Sequence, residues 1–325
     1  MTARLPSAAS NQLCLDLPEF TTPVLSTETP ELCDYDIILL NNSGGKDSQA
    51  AFEITMRAAH AARVADRVVC VHADLGIMEW SGVKELAAEH AAHYKVPFRV
   101  ARRNGPDLLA HIAARRMFPD SKNRFCTSDH KRGPIRVIMT DLVRDTRQRL
   151  RRNQIRLLNV MGLRAQESPA RRKLAPYSHD SSATCPCIEC QHKRAAAAEY
   201  IARKEKIPAH LKVGHGASNT RRHVDTWLPV YHLSTAGVWE VVADAATRSH
   251  PAYSWGMPRL SCSCCVLGSK SSLILAAQLR PDHAATIARL ETQIGHRFQR
   301  DLSMAEVIDL AARRPRIDVI EDWAA

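Results

Sequence analysis

Several things are missing from this 325-residue chain, and each absence narrows what it can be. No apolar run approaches the roughly 20 residues that a membrane-spanning helix needs. The opening residues MTARLPSAASNQLCLDLPEF hold no continuous apolar stretch of the kind that marks a secretory signal, so a cytoplasmic protein without membrane contact is expected. Internal repeats and true low-complexity tracts are absent, which excludes repeat arrays. Acidic residues are in deficit: 34 Asp and Glu stand against 45 Lys and Arg, giving a formal net charge of +11. The excess bunches in RDTRQRLRRNQIR, ARRKL and HKRAAAAEYIARKEK, and so points to a polyanionic partner, nucleic acid or nucleotide. Ten cysteines in such a chain are not expected to form a disulfide framework. Cys14, Cys33 and Cys70 stand alone and read as incidental or buried thiols. Cys126 lies in RFCTSDHKR, and the other six fall into two tight clusters, Cys185/Cys187/Cys190 and Cys262/Cys264/Cys265.

The hydrophobic rhythm is that of an α/β protein. DIILLN reads as a buried strand, DSQAAFEITMRAAHAARVA as an Ala-rich helix, and DRVVCVHADLG as a second strand. The helix EWSGVKELAAEHAAHYK, the strand VPFRVAR and the helix DLLAHIAARR follow. After them come the helix GPIRVIMTDLVRDTRQRLRR and the strand IRLLNVMGLR. Strands separated by helices of this length imply right-handed crossovers and a doubly wound, mainly parallel sheet. The expected organisation is a loose extension over residues 1–34, a nucleotide-binding α/β core over 35–164, a basic Cys-containing insertion over 165–225, and a helical C-terminal region with a CxxC over 226–325.

Between the first strand and helix lies Ser43-Gly44-Gly45-Lys46-Asp47-Ser48. In doubly wound sheets, ligands sit at the carboxyl ends of strands beside helix N-termini. The two glycines permit close backbone approach to a phosphate, successive N–H groups form an anion nest, and Lys46 adds a full positive charge. Walker A spacing is absent, which excludes a P-loop NTPase. An ordinary helix N-cap with turn glycines is the plainer reading of such a loop.

The intact SGGKDS string resembles the PP-loop of the adenine-nucleotide α-hydrolase-like superfamily. With VHADLG, RFCTSDHKRGPI, MGLRAQESPARR and WLPVYHLSTAGVWEVV, the chain is similar to the PAPS-reductase-like family over about residues 36–270. The resemblance implies that Ser43, Gly44, Gly45, Lys46, Asp47 and Ser48 hold the pyrophosphate of ATP. It implies that Asp74, Leu75 and Gly76 line adenine and ribose, and that Gly162, Arg164, Glu167, Ser168 and Arg171 close the phosphate side. Arg164 and Arg171 can clamp phosphate oxygens bidentately. Lys131 and Arg132 add charge beside an attacking or leaving group, and Mg²⁺ bridging the phosphates would have Asp47 as an outer-shell ligand.

Cys262-x-x-Cys265 alone suits zinc, iron–sulfur or a redox dithiol. In iron–sulfur relatives, a Cys before a Lys-Arg pair, here Cys126, joins a later CxxC. The resemblance therefore implies a [4Fe-4S] cluster on Cys126, Cys262 and Cys265, with Cys264 as fourth ligand or reactive thiol. Cys185, Cys187, Cys190 and His192 could bind Zn²⁺ or supply a sulfur-relay thiol, with His215 and His223 as supplementary ligands.

Three functions meet these features. The first is an ATP pyrophosphatase driving sulfur transfer to nucleic acid, as in DNA phosphorothioation, with a cysteine desulfurase and DNA-modification subunits as partners. PRLSCSCC is similar to the endings of such proteins. The second is a PAPS or APS reductase releasing sulfite. That family's Glu-Cys-Gly-x-His tail has no counterpart here, because no Cys follows Cys265. The third is a non-catalytic nucleotide- or metal-sensing nucleic-acid binder.

Overall fold

The computed structural model describes residues 29–180, 187–211 and 221–315. The chain runs β1 (Ile37–Asn41), α1 (Lys46–Ala61), β2 (Val68–Ala73), α2 (Val83–His93), β3 (Phe98–Ala101) and α3 (Leu108–Arg115). A one-turn helix α4 (Phe125–Thr127) and a π-helical turn Ser128–Arg132 lead into α5 (Gly133–Leu150) and β4 (Ile155–Met161). Then come β5 (Tyr177–His179), α6 (Ile188–Ala202) and β6 (Arg222–Trp227). Four helices close the chain: α7 (Thr235–Asp244), α8 (Lys270–Leu279), α9 (Pro281–Ile294) and α10 (Met304–Ala312).

Six strands form one sheet in the order β3-β2-β1-β4-β6-β5. Every neighbouring pair is parallel except the edge pair β5–β6. This is the doubly wound α/β sheet expected from the alternation of strands and helices. Its logic shows in β1, where all four residues Ile37–Leu40 are buried. Ile38 and Leu40 pack toward Phe52, Met56 and Ala59 of α1, whereas Ile37 and Leu39 pack toward Met139 and Val143 of α5. A strand covered on both faces has no polar side, so its sequence is a continuous apolar run. Burying each such aliphatic side chain contributes about 1.5–3 kcal/mol.

The segment expected as an insertion is partly sheet. Residues 165–225 supply β5 and most of β6, so the sheet does not stop at residue 164. Both strands hide from a hydropathy reading. β5 has only three residues, and β6 carries Arg222 and Asp225 as buried groups within RHVDTW. The second helix also starts later than its sequence suggests. A 3₁₀ turn at Gly76–Met78 and a left-handed Gly82 (φ 76°) delay α2 to Val83. Helices α8–α10 pack with Leu75, Met78, Trp80, Leu108, Ile112 and Phe118 into a second core that abuts the loop after β2.

Candidate functional site

β1 pairs with β2 on one side and β4 on the other, and the chain winds in opposite directions from it. The crevice beyond the carboxyl ends of β1 and β4 is therefore the topological switch point, where open α/β sheets bind ligands. Ser43–Ser48 leaves β1 into this crevice, and Gly162–Arg164 enters it from β4.

The loop is built from the inside. Asn42 is buried and its side-chain oxygen accepts from Gly44 N (2.9 Å) and lies 3.1 Å from Ser48 Oγ, while Ser43 N donates to Ser48 Oγ (3.1 Å). Gly44 adopts φ 71°, a left-handed conformation that glycine takes without steric cost. α1 then begins at Lys46, so its N-terminus and the positive end of its dipole face the crevice. Gly162 touches the loop from the opposite side: a Cβ there would lie 2.5 Å from Asp47 O and 2.6 Å from Ser48 N. The two strand ends are packed backbone to backbone.

Positive charge converges on this point. Arg164 is buried, its Nε 2.5 Å from Asp47 Oδ1, and Lys46 Nζ lies 3.2 Å from Asp47 Oδ2. Arg171 pairs with Glu167, whose carboxylate also accepts from Arg164 N (3.1 Å). Ser168 Oγ accepts from Arg171 N (3.2 Å). Burial lowers the Lys46 pKa, Asp47 opposes that shift, and Arg164 and Arg259 reinforce it. Burial likewise lowers the Arg171 pKa, and Arg259, Arg124 and Arg164 press in the same direction. Two carboxylates thus face several cations, an imbalance that a polyphosphate would relieve.

The segment 253–260 covers the loop. Tyr253 Oη accepts from Lys46 N (2.8 Å) and Leu260 N (3.3 Å), and Lys46 Nζ donates to Pro258 O (3.1 Å). Lys46 is consequently 2 % exposed. At the end of β2, Asp74 Oδ1 accepts from Gly76 N (2.7 Å), and Leu75 is buried. Glu79 accepts from Leu75 N (3.3 Å) and lies 3.1 Å from His72 Nε2. Burial works against the His72 charge, but Glu79 outweighs it and the pKa is raised.

Lys131 sits in the π-helical turn beside the Cys262 thiol rather than on the loop, and Arg132 is exposed. Burial pushes Cys262 up to about 12; Lys131 opposes this, and Cys265, Glu79 and Cys126 add to it. Cys262 is thus near both Cys126 and Cys265. Among the described residues, the three do not form a group whose ligand atoms all lie within 4.8 Å of one another. Cys264 is fully buried in the C-terminal core, against which Cys126 and Cys262 also pack, and burial raises it to about 12.

The other cysteine cluster acquires a partner that spacing did not reveal. His179 of β5 has Nε2 3.4 Å from Cys190 Sγ and 4.0 Å from Cys187 Sγ. Its Nδ1 donates to Asp225 (2.9 Å), to which His223 also donates (3.0 Å). Burial disfavours the Asp225 carboxylate, but His179, His223 and Tyr35 hold its pKa well below the ordinary range. Cys185 and His215 lie outside the described residues, and His192 is exposed on α6. The sequence reading also missed Asn42, Tyr253, Arg259 and Arg124. The asparagine pair before SGG and the arginine in PRLSC were the available signals.

Fold and loop together define a class, a doubly wound α/β protein with a glycine-rich strand–helix loop at its switch point. No family model and no curated protein sequence matches the chain. Solved structures do. One is the phosphoadenylyl-sulfate (PAPS) reductase from Candida auris in its phosphate complex, 10 % identical, covering 71 % of this chain and 83 % of that one at a TM-score of 0.39. Another is the U34-tRNA thiolase NcsA from Methanococcus maripaludis with its [4Fe-4S] cluster, 11 % identical, covering 88 % and 74 % at a TM-score of 0.32. Among the described residues no helix is long and apolar enough to cross a membrane.

Proposed function

We propose that this chain is a PP-loop ATP pyrophosphatase of the PAPS-reductase-like family, which cleaves ATP to AMP and pyrophosphate to drive sulfur transfer to nucleic acid. The observation that carries this reading is the meeting of SGGKDS and Gly162–Arg164 at the switch point, with Lys46 and Arg164 buried there and Arg171 half-buried beside them. Helix N–H groups, Lys46, Arg164 and Arg171 are disposed to stabilise charge on a pyrophosphate leaving group. An acceptor oxygen attacks the α-phosphorus, the bond to pyrophosphate breaks, and a hydrosulfide then displaces AMP. Such a reaction rests on positioning and electrostatic stabilisation more than on a general base. Lys46 must exchange Pro258 O for a phosphate oxygen, so ligand entry displaces the covering segment. Mg²⁺ would neutralise phosphate charge, with Asp47 as its nearest carboxylate.

Cys126, Cys262 and Cys265 are the residues that would hold a [4Fe-4S] cluster. The Cys262 thiol, with Cys126, Cys265 and cationic Lys131 close enough to act on it, suits an anionic cluster. When bound, three-thiolate ligation leaves one iron able to carry sulfide. Anaerobic protein incubated with ATP, Mg²⁺, DNA and a cysteine desulfurase, with L-cysteine as sulfur source and a thiol reductant that frees hydrosulfide from the desulfurase persulfide, tests the proposal. Phosphorothioate linkages in the DNA are expected, whereas thioredoxin-dependent sulfite from PAPS or APS would replace this reading with reductase chemistry.

A further inference from the structure

A second cysteine cluster lies on the far edge of the sheet, and none of the chemistry above uses it. Cys187 is the N-cap of α6 and Cys190 lies one turn on, so both sulfurs fall on the same side of the helix start. They meet an imidazole from a different element: His179 Nε2 is 3.4 Å from Cys190 Sγ and 4.0 Å from Cys187 Sγ. These three ligand atoms lie within 4.8 Å of one another. Cys190 is fully buried, although the surrounding helix is polar and its Ile188 and Ile201 are exposed. Apart from this contact, α6 has little apolar surface with which to hold itself to the sheet. Cys187 and Cys190 form a buried cluster of their own, separate from every other core.

We propose that His179, Cys187 and Cys190 bind a zinc ion that staples α6 to the β5–β6 edge, with Asp225 as its orienting carboxylate. Two thiolates and one imidazole are a zinc-preferring donor set, and a tetrahedral ion takes one further ligand from outside this trio. Asp225 orients rather than ligates. Its Oδ1 already accepts from His179 and His223, and its Oδ2 accepts from Tyr35 (2.7 Å) with the Tyr177 hydroxyl at 3.2 Å. A carboxylate so fully donated to has no lone pair to spare. By fixing the proton on His179 Nδ1, it leaves Nε2 as the electron-pair donor facing the thiols. On binding, the two thiols lose their protons to solvent and nothing is oxidised. A Cys187–Cys190 dithiol exchanging with a disulfide is the competing use of the same residues.

The test uses the full chain carrying Cys126→Ser, Cys262→Ser and Cys265→Ser, so that the proposed cluster thiols cannot contribute. Aerobically purified protein is expected to hold one zinc per chain. Cobalt substitution should give the intense visible bands of tetrahedral thiolate coordination. His179→Ala should abolish stoichiometric metal, and Asp225→Asn should weaken zinc by about 10–100-fold, with circular dichroism reporting whether each variant is folded. If Asp225→Asn does not fold, His179→Gln, with the carboxylate intact, decides the matter by the same loss of metal. Metal-free protein with a Cys187–Cys190 disulfide, or undiminished zinc in the His179 variants, would overturn the proposal.

Discussion

At the scale of single residues, Gly162 and Tyr253 say most about the loop. Gly162 needs no special backbone angle, and what it lacks is the Cβ that would collide with Asp47 O and Ser48 N. Neither contact is the movable end of a side chain, so Gly162→Ala must push the loop away from β4. We expect a loss of about 1–3 kcal/mol of stability, in the range of overpacking, together with loss of nucleotide binding. Urea unfolding and ATP titration check both, and wild-type behaviour in the two would show that the contact has slack. Tyr253→Phe removes the hydroxyl that accepts from Lys46 N and Leu260 N. Leaving buried donors without a partner costs about 1–3 kcal/mol, read from the same unfolding curves. If ligand entry displaces the covering segment, this variant should bind ATP no more weakly than wild type relative to its stability. Gly44, Gly45, Lys46 and Gly162 were legible in the sequence because glycine and lysine at a strand–helix junction carry their physics locally. Tyr253 and Arg259 were not, because their link to the loop spans some 200 residues and exists only once the chain has folded.

At the scale of elements, the alternation of apolar strands with Ala-rich helices named most of the sheet before any coordinates. It failed where burial is polar. β6 was hidden because Asp225 and Arg222 are buried through hydrogen bonds, Arg222 to Thr140 Oγ1 (3.1 Å) for instance, rather than through hydropathy. His179 went unremarked because β5 is too short for a period to show. Of three buried histidines, two pin neighbouring elements. His130 lies in the π-helical turn, with His111 Nδ1 2.9 Å from its Nε2. His250 bridges Ala252 N (3.0 Å) and Ser81 O (3.0 Å). On α9, neither ring nitrogen of His283 has a hydrogen-bond partner among the described residues. Burial lowers each to about 4. An unfolded histidine titrates near 6.5, so between those values the unfolded chain binds more protons than the folded one. The stability contributed by neutral burial is complete above pH about 6.5 and is lost as pH falls toward about 4, by at most about 1.4 kcal/mol per histidine per unit. His283→Leu, which removes an unpartnered polar ring, should shift the acid-unfolding midpoint to lower pH, as followed by circular dichroism. An unchanged midpoint would mean that the ring is satisfied or reachable by water.

At the scale of the molecule, the charge of +11 takes on a location as well as a sign. One part of it surrounds the loop, where Lys46, Arg164, Arg171, Arg259 and Arg124 outnumber Asp47 and Glu167. Another lies along α5 and its end, where Arg144, Arg147, Arg149, Arg151 and Arg152 are largely exposed. Two basic surfaces are thus present, one at the proposed nucleotide site and one along α5, where composition alone shows a single total. The C-terminal core brings the CxxC segment onto the loop after β2: Ser263 N donates to Met78 O (3.0 Å), and Arg280 donates to Ile77 O (3.2 Å) and Ser263 Oγ (2.8 Å). The CxxC segment and the loop after β2 are therefore held together by packing that no local motif encodes. Which bond of ATP is cleaved decides the proposed function, and phosphorus NMR of the products reads it. Equimolar AMP and pyrophosphate are expected from anaerobic protein with Mg²⁺, nucleic acid and a sulfur donor, and loss of both with Lys46→Ala. ADP with inorganic phosphate, or no turnover under these conditions, would contradict it.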